Sequence, residues 1–142
     1  MSKLVKNFLY FSRCFFSFDK KELKKRLTPQ QFYVTQEKGT EPPFHNEYWD
    51  NKENGVYLCI VCSNELFTSD HKYESGTGWP SFYEVKDKEN IKVEVDSSHG
   101  MVREEVLCQC NSHLGHRFHD GPKSKTGLRY CINSASLYFK NL

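Results

Sequence analysis

The chain has 142 residues and a formal net charge of +2, and 15% of its residues are aromatic. This length fits one domain of ordinary size. The near-zero charge excludes a global field that would attract nucleic acid or a membrane surface, and no apolar run approaches the length of a membrane span. We therefore expect a small core rich in aromatic rings, and neither a nucleic-acid nor a membrane partner.

Residues 1–18, MSKLVKNFLYFSRCFFSF, are basic, rich in aromatic residues and free of acidic ones. This composition is typical of a mitochondrial presequence. A secretory signal fits less well, because Arg13 interrupts the apolar stretch and no small-x-small cleavage motif follows. We expect residues 1–18 to be either a presequence or an extension of a domain at residues 19–142, and the compartment to be mitochondrial or cytoplasmic.

Two helix-start signals follow in succession. Residues 19–22, DKKE, have the spacing of a capping box, which predicts a short helix that runs to about Leu27. Residues 28–31, TPQQ, place Thr at the N-cap, Pro at the first helical position and Gln at the third. We expect this second helix to end near Lys38, because Gly39 follows it.

From Gly55 onward the sequence is typical of short β-strands separated by turns. Five segments are rich in β-branched or aromatic residues, namely VYLCIV, IKVEV, MVREEVLC, RYCIN and SLYF. Turn signals separate them, namely SGTGWPS, SSHG and HDGPKSKTG. The predicted fold is mainly β, with small antiparallel sheets preceded by short N-terminal helices.

Four of the six cysteines form two close couples, Cys59/Cys62 and Cys108/Cys110. In a chain without a secretory signal, such couples are more typical of metal binding or redox chemistry than of disulfides. Two thiolates on one tight turn can reach the same tetrahedral ion, and a second couple completes a four-sulfur site. We therefore predict one structural zinc per chain, bound by these four cysteines.

An alternative use of Cys59 and Cys62 is a thioredoxin-type redox pair, since a single CxxC motif serves either purpose. No helical pattern follows Cys62, which disfavours that alternative. The second couple is irregular, because only Gln109 separates Cys108 from Cys110, where two residues are usual. We expect a tighter, distorted turn at this couple, and a consequent shift of the residues that follow it.

Cys131 lies apart from both couples, between Arg129 and Asn133. On a strand these three side chains point to one face. An apolar core face would not carry Arg, Cys and Asn in a row, and a neighbouring cation lowers the pKa of a thiol. We therefore interpret Cys131 as a reactive thiolate rather than a buried structural cysteine.

Three further side chains are candidates for a site around Cys131. His113 and His116 follow the second couple in HLGHRFHDGP, which we expect to be a loop held by the metal. Imidazoles in that place can donate hydrogen bonds and protons. Trp79 lies in the turn SGTGWPSF, where its ring can either form the wall of a pocket or belong to the core.

Four motifs in order, GVYLCIVCSNELF, YESGTGWPSF, HLGHRFHDGP and RYCINSASL, resemble those of methionine sulfoxide reductase B, the peptide-methionine (R)-S-oxide reductase family. The resemblance runs from about residue 20 to the end of the chain. It implies two antiparallel sheets with N-terminal helices, called the β-tent or Mss4-like fold, and a structural zinc on the four paired cysteines. It also implies reduction of the R epimer of peptide-bound methionine sulfoxide, since each epimer requires its own enzyme.

The resemblance implies a role for each polar candidate. Cys131 matches the catalytic cysteine, which attacks the sulfoxide sulfur and becomes a sulfenic acid. Arg129 matches the arginine beside that thiolate. His116, His113 and Asn133 match polar residues around the sulfoxide oxygen, and we expect His116 to be the first proton donor, with His113 assisting.

The resemblance also implies the binding partners. Trp79 matches the ring that packs against the S-methyl group of the substrate, and Phe118 adds a second apolar wall. The implied substrates are oxidised proteins that carry methionine-R-sulfoxide, and the implied reductant is thioredoxin or another dithiol. We expect the protein to be a monomer.

The sequence departs from many members of the family at the resolving cysteine, because it has Thr77 at that position. Two recycling routes follow: Cys14 resolves the sulfenic acid, or an external thiol reduces it directly. Cleavage of a presequence that contains Cys14 would leave only the second route. A different class of function, a zinc-ribbon-like binding module without catalysis, explains the couples and the strands but not the row of Arg, Cys and Asn at 129–133.

Overall fold

The computed structural model describes residues 18–142. The segment predicted to be a presequence or extension, including Cys14, lies outside the described residues, except for its last residue, Phe18. Two short helices come first, and nine short β-strands follow them. Within residues 18–142, no helix is long and apolar enough to cross a membrane.

The first helix, α1 (Lys20–Arg26), begins where the capping signal predicts it. The Asp19 carboxylate caps it by accepting a hydrogen bond from the backbone N–H of Lys21 at 2.9 Å. Leu23 is buried in the core. Arg26, at the end of α1, donates hydrogen bonds to the backbone carbonyls of Ile60 at 3.0 Å and Val61 at 2.8 Å. The helix therefore holds the turn between Cys59 and Cys62.

The second helix, α2 (Pro29–Glu37), has the predicted capping box, in which Thr28 and Gln31 exchange side-chain and backbone hydrogen bonds. Its C-cap differs from the expectation in one respect. The left-handed residue is Lys38, with φ of 58°, whereas Gly39 lies one residue beyond it. The Lys38 side chain is thereby directed from the helix end to Glu105, with 3.2 Å between the ammonium nitrogen and a carboxylate oxygen.

The strands form two antiparallel sheets. One has three strands in the order β2-β1-β9, and the other has six in the order β3-β4-β8-β7-β6-β5. The predicted fold class is confirmed. The strands are β1 (Gly55–Cys59), β2 (Glu65–Thr68), β3 (Lys72–Tyr73), β4 (Ser81–Phe82), β5 (Ile91–Asp96), β6 (Arg103–Cys108), β7 (His113–Phe118), β8 (Arg129–Ile132) and β9 (Leu137–Asn141).

The core lies between the two sheets and consists largely of aromatic rings. Phe67 of the three-stranded sheet stacks on Phe82 of the six-stranded sheet, with ring centroids 4.4 Å apart. Tyr57 meets the same Phe82 ring edge-on at 5.1 Å. All three side chains are fully buried. Such ring pairs contribute beyond their buried area, and here they fix one sheet against the other.

The prediction of a loop at HLGHRFHDGP is wrong for its first half, because residues His113–Phe118 form strand β7. The local composition, with Gly115 and two histidines, is not typical of a strand. Pairing with β6 on one side and β8 on the other overrides that preference. Gly115 is needed because a side chain there would meet the carbonyl oxygen of Cys131 at 2.0 Å. The strand therefore brings the two histidines to the strand of Cys131.

Candidate active site and metal centre

Cys131 lies at the middle of a row of polar side chains on one face of the six-stranded sheet. Its register partners are Ser81 on β4 and His116 on β7. His116 in turn pairs with Glu105 on β6. Residues paired across antiparallel strands project to the same face. The sheet therefore brings together groups that are far apart in the sequence.

A cavity of about 110 Å³ opens beside Cys131. Five of the predicted site residues line it, and two do not: Arg129 lies beside it, and His113 lies behind it. The lining mixes a large apolar ring with polar groups, which suits a small ligand that has both a methyl group and a polar oxygen. The lining residues are Thr40, Trp79, Arg103, Gly115, His116, Phe118, Cys131, Ile132 and Asn133.

The Cys131 thiol differs from the sequence expectation in its acidity. Burial raises its pKa above the ordinary value, although the positive charge of Arg129 and hydrogen bonds from Arg129 and Thr77 act in the opposite direction. The expected depression by the cation is therefore present but is outweighed by desolvation. Formation of a thiolate at Cys131 therefore depends on the hydrogen-bond donors that reach its sulfur.

Arg129 is fixed beside the cavity by two contacts. Its Nε and Nη2 atoms donate to the two carboxylate oxygens of Asp120, at 2.9 and 3.2 Å. Its guanidinium carbon lies 4.4 Å from the centroid of the Phe118 ring. This cation–π contact orients both groups. Phe118 therefore both lines the cavity and contacts Arg129.

His116 is held by a carboxylate that the sequence did not reveal. Its Nε2 atom lies 2.9 Å from Oδ2 of Asp96, the last residue of β5. The hydrogen bond from His116 holds the pKa of Asp96 well below its usual range. Asp96 also lies 3.6 Å from the Nη2 atom of Arg103. The ionised carboxylate fixes the imidazole through Nε2 and leaves Nδ1 for other partners.

His113 lies deeper than His116 and has a different environment. It is 2% exposed, and its Nδ1 atom lies 2.7 Å from a carboxylate oxygen of Glu105. Its Nε2 atom has no hydrogen-bond partner among the described residues. Burial lowers the pKa of His113, and the bond to Glu105 only partly opposes this effect. Because its neutral form is favoured, His113 is a weaker proton source than an exposed histidine.

Asn133 follows β8, and its amide is held by two backbone groups. The Nδ2 atom donates to the carbonyl of Leu114 at 3.0 Å, and the Oδ1 atom accepts from the backbone N–H of Glu41 at 3.1 Å. These contacts fix the orientation of the amide at the cavity wall. The side chain is 4% exposed, so its place is set by the fold rather than by a ligand.

Glu41 connects the two sides of the cavity. Its backbone carbonyl accepts a hydrogen bond from the Trp79 indole at 3.0 Å. Its buried carboxylate accepts from the backbone N–H groups of Ser134 and Ala135, the latter at 2.8 Å. Burial raises the pKa of this carboxyl, and the two backbone donors oppose the rise. No local spacing in the sequence indicates a partner so far along the chain.

The four paired cysteines form a buried cluster. Their sulfur atoms all lie within 4.8 Å of one another, with 3.8 Å between Cys59 and Cys110 and 3.4 Å between Cys62 and Cys108. Sulfurs in a tetrahedral zinc site are separated by roughly 3.8 Å, given a bond length of about 2.3 Å. The donor set and its spacing therefore fit zinc. They favour a metal centre over a redox pair of Cys59 and Cys62.

The short second couple still brings both sulfurs to the cluster. Each couple begins at the end of a strand, and the residue after each second cysteine, Ser63 or Asn111, has a positive φ of 66° or 71°. The β6–β7 pairing shifts beside the second turn, so that Leu114 is an extra residue. The irregularity in this hairpin therefore lies in the strand pairing beside the couple. The Ser112 hydroxyl lies 3.2 Å from the Cys110 sulfur and supports it.

Comparison with known proteins agrees with this architecture. The SelR domain family matches residues 27–141. The peptide methionine sulfoxide reductase MsrB of Hahella chejuensis is 58% identical over 119 residues, which cover 83% of this chain and 85% of the relative. The protein of that name from Burkholderia pseudomallei is 56% identical over 123 residues, or 86% of each chain. This chain therefore belongs to the SelR domain family, the methionine sulfoxide reductases B.

Proposed function

We propose that this chain reduces the R epimer of methionine sulfoxide in oxidised proteins, with Cys131 as the nucleophile. Reduction of methionine sulfoxide is the activity named for its relatives in the family. The observation that carries the proposal is the cavity that joins Cys131, His116 and Trp79. It combines a sulfur nucleophile, a proton donor and an apolar wall.

The proposed reaction moves two electrons from Cys131 to the substrate. The sulfur of Cys131 attacks the sulfoxide sulfur, and the sulfoxide oxygen takes up a proton as its bond to sulfur breaks. The hydroxyl group so formed moves to the Cys131 sulfur as the new sulfur–sulfur bond breaks, so that Cys131 becomes a sulfenic acid and methionine leaves. Oxide is a very poor leaving group, so the proton must arrive during bond cleavage.

His116 is the proposed proton donor. It lines the cavity, and its Nε2 atom is held by the ionised carboxylate of Asp96 at 2.9 Å. The carboxylate fixes the orientation of the imidazole at the cavity wall, and a histidine positioned there can deliver the proton that the oxygen needs. His113 assists from behind, with its ring centroid 5.5 Å from that of His116. Asn133 supplies a fixed polar wall for the oxygen.

The cavity also supports selectivity for one epimer. Trp79 and Phe118 provide the apolar wall for the S-methyl group, and the polar side orients the sulfoxide oxygen. With the methyl group and the oxygen each assigned to one wall, only one configuration presents its sulfur to Cys131. Arg129 lies beside Cys131 and contributes positive charge to the thiolate.

We propose that the four-cysteine cluster holds one zinc ion per chain with a structural role. All four positions of a tetrahedral ion are then filled by Cys59, Cys62, Cys108 and Cys110, and none is left for substrate. Zinc bound there would crosslink the turn between β1 and β2 to the turn between β6 and β7. The reaction itself rests on the residues of the cavity.

We further propose that thioredoxin or another dithiol reduces the sulfenic acid directly. Thr77 carries no thiol, and the other thiols among the described residues belong to the cysteine cluster. Resolution by Cys14, which lies outside the described residues, is the competing route. The monomeric state and the mitochondrial or cytoplasmic location also remain proposals from the sequence.

The test is turnover of separated R and S epimers of a blocked methionine sulfoxide, with dithiothreitol as reductant. We expect wild type to reduce only the R epimer and Cys131→Ser to reduce neither. Arg129→Lys is a comparison variant, expected to be slowed rather than inactive because positive charge is retained. No turnover by folded, zinc-loaded wild type would reject the proposal and favour the zinc-ribbon-like binding module.

A further inference from the structure

The cavity beside Cys131 is too small for more than the end of one side chain. Its volume is about 110 Å³, whereas pockets that enclose a whole small molecule hold about 300–1,000 Å³. When the sulfoxide belongs to a protein, the polypeptide on either side of it must therefore lie on the surface around the cavity mouth. That surface is the part of the site that can distinguish one polypeptide from another.

Phe44 lies at one side of the mouth, next to the apolar wall. Its backbone N–H donates to the carbonyl of Gly78 at 2.9 Å, and its ring packs so closely on Gly78 that an added Cβ would lie 2.7 Å from it. The Asn46 amide donates to the same carbonyl at 2.9 Å. Gly78 directly precedes Trp79, which lines the cavity. Phe44 is thus fixed beside that wall.

Phe44 remains exposed in spite of these contacts. Half of its surface, 50%, is accessible, although its ring meets the Trp49 ring edge-on at 5.1 Å. Its φ of 63° is a left-handed conformation, which is unfavourable for a bulky residue. Single exposed apolar side chains are common, but this one is fixed in an unfavourable backbone conformation beside a cavity. Such a combination indicates a binding surface.

Met101 lies at another side of the mouth. It is 50% exposed, and its backbone N–H donates to the carbonyl of Ser98 at 3.2 Å. Its backbone is extended, with φ of −120° and ψ of 147°, and it lies two residues before Arg103, which lines the cavity. Residues two apart along an extended chain project to the same side. Met101 therefore projects to the side of Arg103 and the cavity.

The strand order sets the distance between these two apolar side chains. Trp79 precedes β4 and Arg103 begins β6, whereas Cys131 lies on β8, between them in the order β4-β8-β7-β6. Three strand spacings of about 4.8 Å give roughly 14 Å from β4 to β6. An extended polypeptide rises about 3.3 Å per residue, so a segment of about five residues spans this width.

We propose that Phe44 and Met101 form an apolar rim that binds an extended segment of the oxidised protein across the cavity mouth. Methionine sulfoxide lies at the centre of the segment, with its side chain in the cavity. The side chains two positions before and after it project to the same side and contact the rim, whereas those of the adjacent residues project to solvent. The preferred substrates therefore have apolar side chains at those two positions. The inference rests on the proposed function in taking the cavity as the site of the sulfoxide.

The experiment compares three acetylated heptapeptide amides with methionine-R-sulfoxide at the centre. The first has leucine two positions before and after the sulfoxide, the second has leucine at the adjacent positions, and the third has neither, with serine at every other position of each. NMR titration of full-chain, zinc-loaded Cys131→Ser measures Kd without turnover. We expect the first peptide to bind about tenfold more tightly than the others, because it alone buries apolar surface on the rim.

Substitutions of the rim, made in the same protein, locate this preference. Phe44→Asn and Met101→Ser should each reduce it, and the double variant should abolish it, with no change in Kd for the peptide without leucine. Asparagine tolerates the positive φ of position 44, so the fold is retained. Val95→Ser and Tyr138→Ser are the matched controls, since both side chains are more than half exposed and neither lines the cavity.

The proposal would be overturned by no detectable binding, by equal affinity for the three peptides, by tightest binding of the second peptide, or by a preference retained in the double variant. Turnover of the blocked methionine sulfoxide tests the reaction separately, because that small substrate has no residues that reach the rim. The double variant with Cys131 restored should therefore keep the wild-type kcat/KM for it. A failure of the reaction and a failure of the rim are thus distinguishable.

Discussion

Glu41 makes contacts around the cavity through three different groups. Its backbone N–H binds Asn133, its carbonyl binds Trp79, and its carboxylate binds the backbone that follows Asn133. A single residue therefore sets the position of the apolar wall relative to the end of β8. Because a buried carboxylate is costly unless it is hydrogen-bonded, its two backbone donors are needed for stability.

We expect Glu41→Gln to lower the free energy of unfolding by about 1–3 kcal/mol, because the amide keeps one acceptor oxygen for two backbone donors. Burial raises the pKa of Glu41, so the folded protein binds this proton more tightly than the unfolded chain. That stabilising contribution is full below the unfolded pKa and is lost as pH rises through the folded pKa.

The difference in stability between wild type and Glu41→Gln should therefore be larger near pH 4 than near pH 7. Denaturant unfolding at the two pH values measures it. The exposed Glu53 provides the control, since Glu53→Gln should change stability little at either pH. A difference that grows with pH would contradict the assigned role of burial.

Asp96 contacts His116 and does not line the cavity, so we expect it to act on the reaction through His116. We expect Asp96→Asn to reduce kcat/KM for the R epimer by about 100-fold, within the range that general acid catalysis contributes. The reason is that the amide loses the charge-assisted hydrogen bond that orients His116 in the cavity. Steady-state kinetics measures the effect. The control is Asp70→Asn, because Asp70 is exposed. Equal activity of Asp96→Asn and Asp70→Asn would remove Asp96 from the mechanism.

At the scale of elements, the β6–β7 hairpin carries two functions. Its turn holds Cys108 and Cys110, and its second strand holds His113 and His116. The other couple lies on the turn after β1, in the three-stranded sheet. The four-cysteine cluster therefore joins one sheet to the other. It also fixes the start of the strand that carries both histidines.

We expect metal analysis of the purified protein to find about one zinc per chain, with a contribution to folding on the order of 10 kcal/mol. Cys62→Ser should lose the metal and unfold at a much lower temperature, because one of the four ligands is removed. Cys131→Ser, which changes a cysteine outside the cluster, should retain both the metal and the wild-type Tm. Full thermal stability of metal-free wild type would contradict a structural role.

Helix starts were predictable because capping depends on residues three positions apart, as Thr28 and Gln31 demonstrate. The five strands with β-branched or aromatic runs were predictable for a similar local reason. Strands β3 and β4 have only two residues each, and β7 has a glycine and two histidines, so their strand structure comes from their neighbours. Sequence patterns contain little information of that kind.

The residues of the candidate site also fall into two groups: those that a local motif reveals and those that only the fold brings together. Cys131, His116 and Trp79 were found from motifs that are contiguous in the sequence. Glu41 binds Asn133 across 92 residues, and Asp96 binds His116 across 20. No spacing rule connects such pairs. The acidity of Cys131 was misjudged for a related reason, since a local pattern gives the nearby cation but not the degree of burial.

At the scale of the whole molecule, the described fold begins at Phe18, and the family match begins at residue 27. The cavity is formed entirely by residues after these points. We expect Cys14→Ser to keep full turnover with both dithiothreitol and thioredoxin, because in the proposed route an external thiol reduces the sulfenic acid directly. A loss confined to the thioredoxin assay would assign the resolving role to Cys14.

The contact between Cys62 and Cys108 closes a loop of 46 residues. Thr77 and Trp79 lie inside this loop, whereas His116 and Cys131 lie after it. Closing a loop reduces the number of conformations open to the residues within it. Bound metal would therefore reduce the chain entropy that is lost when the apolar wall meets the nucleophile. A distant ion can thus favour an ordered reaction centre without any field or contact there.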